Sequence, residues 1–294
     1  MKHTILGAIC LSLAASIWGG MYVVSKYVLD FIPPLTLVWL RFIIAFVVLY
    51  GILKLAEKKQ KKKVTIRKKD WLLFAWIGFI GYFISITCQF IGTKLSDAHT
   101  GSLVTSATPA FMVIFAALIL KEKLSARRLL STILATIGVI IVIGWDIEIG
   151  SYFIGTIILV GAAITWALLS IYVKIASARF SSLVITTYAI FFSLFFITPF
   201  MIWELQSTSI ETINTYVILG VVYLGVVSTA GAFFLWNKGL ELMDASIGSL
   251  FFFFQPIVGS LLGWLLLNET LNINFFIGGI LIICSVFITT FEKK

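Results

Sequence analysis

Long apolar runs, each about the length of a bilayer crossing, alternate with short polar or basic breaks along the whole chain. A spanning helix needs about 20 mostly apolar residues. Runs of that kind lie at 5–26, 35–55, 71–91, 97–119, 126–144, 152–173, 182–203, 216–236, 244–267 and 273–291. In a bilayer core each backbone N–H and C=O must be satisfied within its own segment, so these runs are predicted to be helices. Runs 71–91 and 97–119, like 244–267 and 273–291, are so close that tight connections are expected. The first run follows Met1-Lys2-His3 as a signal peptide would, but residues 5–26 have a counterpart later in the chain. It is read as a retained span.

Composition sharpens this pattern. Of 294 residues, 60% are hydrophobic and 12% charged, where a soluble domain has about half and about one quarter. That excludes a soluble enzyme and a disordered chain, and leaves almost no room for an extramembrane domain. The net charge of +9 does not point to nucleic acid, because nine of the 22 basic residues lie between Lys54 and Lys69. With the N-terminus placed in the cytoplasm, nineteen Lys and Arg fall in cytoplasmic segments and only Lys26 and Lys94 outside. Positive charge stays inside, so both termini are predicted to be cytoplasmic. Cys10, Cys88 and Cys284 sit in apolar runs without CxxC spacing and read as small packing residues.

The chain also matches itself at an offset of 147–148 residues. Gly92-Thr-Lys-Leu-Ser-Asp-Ala-His-Thr-Gly-Ser-Leu103 falls on Gly239-Leu-Glu-Leu-Met-Asp-Ala-Ser-Ile-Gly-Ser-Leu250. Pro109 falls on Pro256, Glu122 on Glu269, Trp18 on Trp166 and Lys26 on Lys174. Two copies, 1–147 and 148–294, are thus expected, each with five helices. Five is odd, so the second copy enters from the opposite side of the membrane. The predicted fold is an all-α membrane protein of ten transmembrane helices in two inverted five-helix repeats. Carriers use such symmetry, with a solute site at the repeat interface that faces either side in turn.

Taken with Ala15-Ser-Ile-Trp18-Gly, Leu40-Arg41-Phe42, the paired Asp-Ala-Xaa-Xaa-Gly-Ser-Leu segments, Leu120-Lys-Glu122-Lys-Leu124 and Asn268-Glu269-Thr-Leu271, the chain resembles the ten-helix EamA-type exporters of the drug/metabolite transporter superfamily. The resemblance implies export of small metabolites, commonly amino acids, from a bacterial cytoplasmic membrane. It also makes the repeated Glu122 and Glu269 candidates for gating or coupling.

Polar groups inside spans are costly and are the first candidates for a solute pathway. Arg41 is the embedded charge. It either grips a carboxylate through paired hydrogen bonds, or snorkels outward and packs against carbonyls and Asp30. Trp18, Tyr22 and Ser25 share one helix face, and Trp166 and Ser170 occupy the matching face of the second copy. Cavity lining and an interfacial aromatic belt are both open readings for them. Gly78, Tyr82, Ser85 and Gln89 form a stripe, matched at the same offset by Gly225, Thr229, Ala232 and Trp236. Thr105 and Thr108 precede Pro109, and Phe252 and Gln255 precede Pro256. Each proline removes a backbone donor and frees a carbonyl near Thr105 or Phe252, so both are expected to kink their helices. Hydroxyls in one copy against Phe251–Phe254 in the other predict a chemically lopsided cavity.

The substrate-binding candidates are therefore Trp18, Tyr22, Arg41, Tyr82, Gln89, Thr105, Trp166, Ser170, Trp236 and Gln255. His99 joins the two glutamates as a coupling candidate. All 13 acidic residues lie in loops or at helix ends, so uniport and proton antiport both stand. Asp97 and Asp244 read as helix N-caps, and Gly259-Ser-Leu-Leu-Gly263 as a close-packing face with an unassigned partner. No catalytic residue, metal site or cofactor is expected. The expected partners are a small-molecule substrate and the lipid bilayer, with no nucleic acid, and one chain suffices for the architecture. A multidrug or lipid-headgroup carrier, and a membrane-embedded enzyme, are the rival readings.

Overall fold

The computed structural model describes residues 2–60, 65–121, 126–143, 150–208, 210–268 and 273–290. Among them every regular element is helical. In chain order they are α1 (Lys2–Val28), α2 (Pro34–Gln60), α3 (Lys68–Leu95), α4 (Ala98–Ile119) and α5 (Ala126–Ile143). Then follow α6 (Ser151–Ser177), α7 (Ser182–Ser207), α8 (Thr215–Leu242), α9 (245–267) and α10 (Ile273–Thr290). α1 to α4 and α6 to α8 are long and apolar enough to cross a membrane, and Phe251–Leu267 of α9 is a shorter apolar helix. Large apolar side chains such as Val47, Leu72, Phe195 and Tyr216 face outward, as a lipid-contacting surface requires.

Local chemistry sets where the rods start, stop and bend. The Asp97 side chain caps α4, accepting from Thr100 N at 2.8 Å, and so satisfies one of the orphan donors of a helix start. α9 stops at Asn268, which takes the left-handed conformation that Asn tolerates well at a helix end. The two prolines do not bend continuous helices. α4 breaks at Ser106–Ala107, and Pro109 sits in the first turn of the new segment. In α9 a 3-10 stretch, Ser249–Phe253, precedes the turn that holds Pro256. A proline fits the first turn because its missing N–H has no partner there anyway. The carbonyl of Thr105 then accepts from the Thr108 hydroxyl at 2.6 Å.

α3 and α8 each contain a π-helical stretch, Gly78–Ser85 and Tyr223–Gly231. π turns are rare and release backbone groups from the regular ladder, often at functional sites. Thr229 bridges one such gap by donating to the Leu224 carbonyl at 2.6 Å.

α1, α3, α4, α6, α8 and α9 enclose the centre. α2 packs along α7, and α5 along α10. α1 and α9 cross closely because Gly19 has no side chain: a Cβ there would lie 2.6 Å from the Gln255 carbonyl oxygen. Gly259 of the GxxxG run lies against Ser102 and Gly19, so its packing partner is within the same chain.

Candidate functional site

Trp18 of α1 stands at the centre, 4% exposed. Its ring meets Trp166 of α6 edge to face, with centroids 5.1 Å apart at 82°. Phe233, Trp236 and Phe252 surround it at 5.9, 5.4 and 5.7 Å. The indole N–H donates to the Ser228 carbonyl at 3.1 Å, within the π stretch of α8. A cavity of about 20 Å³ lies here, lined by the aromatic Trp18, Trp166, Phe233 and Phe252 and by the polar Ser85, Gln89, Thr105, Thr108 and Gln255. That is room for about one water. The belt reading of the two tryptophans fails, because both rings are buried in the interior.

On the polar side Gln89, Thr105 and Gln255 form a connected cluster with Tyr22. The Tyr22 and Thr105 hydroxyls are 2.7 Å apart, and Gln89 Nε2 donates to the Tyr22 oxygen. Gln255 Nε2 donates to Thr105 Oγ1 at 2.6 Å, and Thr105 donates on to the Gly101 carbonyl at 2.7 Å. Two polar atoms of the lining residues, Gln89 Oε1 and Trp166 Nε1, are buried without a partner. Such atoms each cost about 1–3 kcal/mol.

Behind the aromatic side, Trp236 Nε1 donates to Ser170 Oγ at 3.3 Å, and its ring packs on Phe252 at 4.5 Å. Tyr82 stacks on Phe233 at 4.7 Å, and its hydroxyl accepts from Asn237 Nδ2 at 3.0 Å. The same amide reaches Thr186 Oγ1 at 2.7 Å.

Arg41 is fully buried and does not snorkel. Its Nε donates to Thr229 Oγ1 at 2.6 Å, Nη2 to Ser228 Oγ at 3.3 Å and Nη1 to Met21 Sδ at 3.5 Å. The guanidinium also lies 4.8 Å from the Phe90 ring centre and 5.7 Å from that of Phe233. The π stretch of α8 thus supplies both its hydroxyl acceptors.

Charged side chains brace the helix ends. Lys26 Nζ donates to the carbonyls of Thr93, Lys94 and Ser96 at the end of α3, at 3.2, 3.1 and 2.6 Å. Lys174 Nζ does the same for Leu240 and Met243 at the end of α8, at 2.9 and 2.8 Å. A cation suits the orphan carbonyls and negative dipole end of a helix C-terminus. Glu204 of α7 caps α2 from across the fold, accepting from Leu35 N at 3.0 Å and Thr36 N at 2.7 Å. Asp70 takes both arms of Arg179, at 2.7 and 3.0 Å.

Of the sequence candidates, Trp18, Gln89, Thr105, Trp166 and Gln255 line the cavity, while Tyr22, Arg41, Tyr82, Ser170 and Trp236 stand behind its wall. His99 lies away from it, with Nδ1 3.2 Å from Asp97 Oδ1 and its ring edge-on to Phe275. Glu122 and Glu269 fall outside the described residues. Sequence reasoning missed Met21, Ile86, Ala162, Ala163 and Phe233, since apolar positions inside spans carry no distinguishing signal. It also missed Asn237 and Thr186, although an amide and a hydroxyl within apolar runs are visible signals. Among the described residues no cluster of three His, Cys, Asp or Glu is placed to hold a metal ion.

Comparison with known proteins bears on this arrangement. An uncharacterized transporter of Bacillus subtilis, YetK, is 28% identical over 290 residues, covering 97% of this chain and 87% of that protein. A probable amino-acid metabolite efflux pump of Escherichia coli is 26% identical, over 96% of this chain and 94% of the pump. A crystal structure of a chain 19% identical shares the fold, with a TM-score of 0.71 over 97% of this chain and 96% of the other. The two sequence relatives are named as a transporter and a pump, not as enzymes. The model of the EamA-like transporter family matches residues 5–144 and again 153–291. The protein, a multi-pass membrane transporter, belongs to that family.

Proposed function

We propose that the protein is a secondary transporter that exports small metabolites, amino acids or their derivatives, across a bacterial cytoplasmic membrane by alternating access. In this reading α1 to α5 and α6 to α10 are inverted repeats, residues 1–147 and 148–294, that cross the membrane ten times with both termini cytoplasmic.

The observation that carries the reading is the contact between Trp18 and Trp166. They are equivalent positions of the two copies, and equivalent residues touch when a two-fold axis passes between them. Other pairs support the same axis. Lys26 and Lys174 brace equivalent carbonyls, since Thr93 and Ser96 correspond to Leu240 and Met243. Lys121 and Asn268, the non-glycine residues with positive φ among those described, are 147 positions apart. α2 packs on its counterpart α7, and α5 on α10. The double match of the family model agrees with two copies.

On an axis of this kind the central cavity is the solute site, with Trp18, Gln89, Thr105, Trp166 and Gln255 at the solute and Tyr22, Tyr82, Arg41, Ser170 and Trp236 positioning them. A volume of about 20 Å³ is too small for a metabolite, so this conformation is a closed stage of the cycle. The test is flux in everted vesicles and in proteoliposomes loaded with a panel of amino acids, their derivatives, nucleosides and hydrophobic cations. Protein-dependent flux of amino acids or derivatives is expected. A panel with no protein-dependent flux overturns the reading. Thiol labelling of cysteines placed at residues 2 and 293 should report the same side of the membrane for both.

A further inference from the structure

We infer that the cargo is a net anion bearing a neutral N–H, such as an N-acylated amino acid with an apolar body, in preference to a free amino acid. The inference rests on the transport reading above and specifies the solute of the same cavity.

The first observation is the charge of Arg41. The side chain is fully buried, its contacts are hydroxyls, a thioether and two rings, and no carboxylate pairs with it among the described residues. Buried charges within a membrane are almost always paired, because an isolated one keeps its full desolvation cost. Arg41 stands one side chain behind the cavity: Met21 and Phe233, which it touches, both line it. The lining itself holds no charged residue. The field of the guanidinium therefore reaches the cavity unopposed, and in a low-dielectric interior it is weakly screened.

The second observation is the pair of unsatisfied atoms. Trp166 Nε1 is a donor without an acceptor, on a residue 7% exposed, and Gln89 Oε1 is an acceptor without a donor. A carboxylate oxygen answers the indole N–H, and an amide N–H answers the Gln89 carbonyl. The aromatic side receives the apolar body. A free ammonium also offers N–H donors, but its charge opposes Arg41 and finds no carboxylate on the wall. A zwitterion thus loses at its amine what it gains at its acid.

Four compounds with one body separate the charge states: phenylalanine, N-acetylphenylalanine, phenylalaninamide and N-acetylphenylalaninamide. Binding to the purified full chain is read by tryptophan fluorescence and by thermal shift. N-acetylphenylalanine should bind at least about tenfold more tightly than each of the others, a difference of about 1.4 kcal/mol. Trp166→Phe should weaken that binding several-fold, and Arg41→Gln should remove the preference for the acid over its neutral amide. If Arg41→Gln does not fold, the order among the four compounds on the unaltered chain decides alone. Equal or tighter binding of phenylalanine or of either amide overturns the inference, as does binding of none of the four. Flux of the same compounds in proteoliposomes separates the two claims: phenylalanine carried in preference to its N-acetyl derivative sinks the cargo inference and leaves transport standing.

Discussion

Three positions around the cavity and the three they match at the offset of 147–148 residues carry opposite chemistry. At that offset Tyr22, Gln89 and Thr105 fall on Ser170, Trp236 and Phe252. The first set, joined by Gln255, forms a continuous chain of hydrogen bonds. In the second set one hydrogen bond of 3.3 Å accompanies ring packing at 4.5 Å. Matching places along the chain thus carry different side chains, and these decide whether a wall is held by directional bonds or by shape. The polar wall should fail sharply when one atom is removed, because a buried partner is left unsatisfied. The aromatic wall should fail with lost volume.

The largest expected effect comes from the seam where the two walls meet. Trp18→Ala should cost about 3–5 kcal/mol, the usual range for emptying a buried aromatic site, read as a lower melting temperature in detergent. Flux should fall with it, and Trp166→Ala should lower flux as well. Wild-type flux in both at normal expression would remove them from the site.

Next comes the comparison itself. Tyr22→Phe should cost about 1–3 kcal/mol by stranding the Gln89 amide, while Thr105 keeps its bonds to Gly101 and Gln255. Trp236→Phe keeps an aromatic ring and gives up one long hydrogen bond, so about 0.5–1.5 kcal/mol is expected. Equal losses would erase the distinction between the walls.

Smaller still are the braces. Lys26→Met should cost about 1–2 kcal/mol, since a charged donor leaves three carbonyls, and Lys174→Met somewhat less because it serves two. Reversal of that order would show that the two ends are held by something other than lysine. At the bottom, Lys54→Ala removes a pair at 2.8 Å between an exposed lysine and the half-buried Glu57 and should change stability by less than about 1 kcal/mol.

The rods were legible in the sequence because a bilayer demands long apolar runs, and no packing detail is needed to see them. That Trp18 and Trp166 are matching positions was legible through the offset of 147–148 residues, but their ring contact was not. The π stretches at Gly78–Ser85 and Tyr223–Gly231 were not, since the extra residue per turn follows from packing rather than local preference. That shift explains why the stripe of Gly78, Tyr82, Ser85 and Gln89 divides: Ser85 and Gln89 reach the cavity, and Tyr82 turns to Asn237. The prolines signalled an interruption, but a sequence cannot tell a bend from a new start. Arg41 was visible as an embedded cation, whereas its acceptors on α8 lie nearly 190 residues away. Glu204 looked like a loop-side acid and proved to be the cap of a distant helix.

The interlocked rings around Trp18 have a further consequence. A cell that stores energy as a voltage and a proton gradient tolerates a solute doorway only if it does not leak. The rings packed around Trp18 border a cavity with room for about one water, too little for a file of molecules along which protons could hop. In the proposed cycle the plug that parts for cargo is then also the insulation that keeps the battery charged between passages.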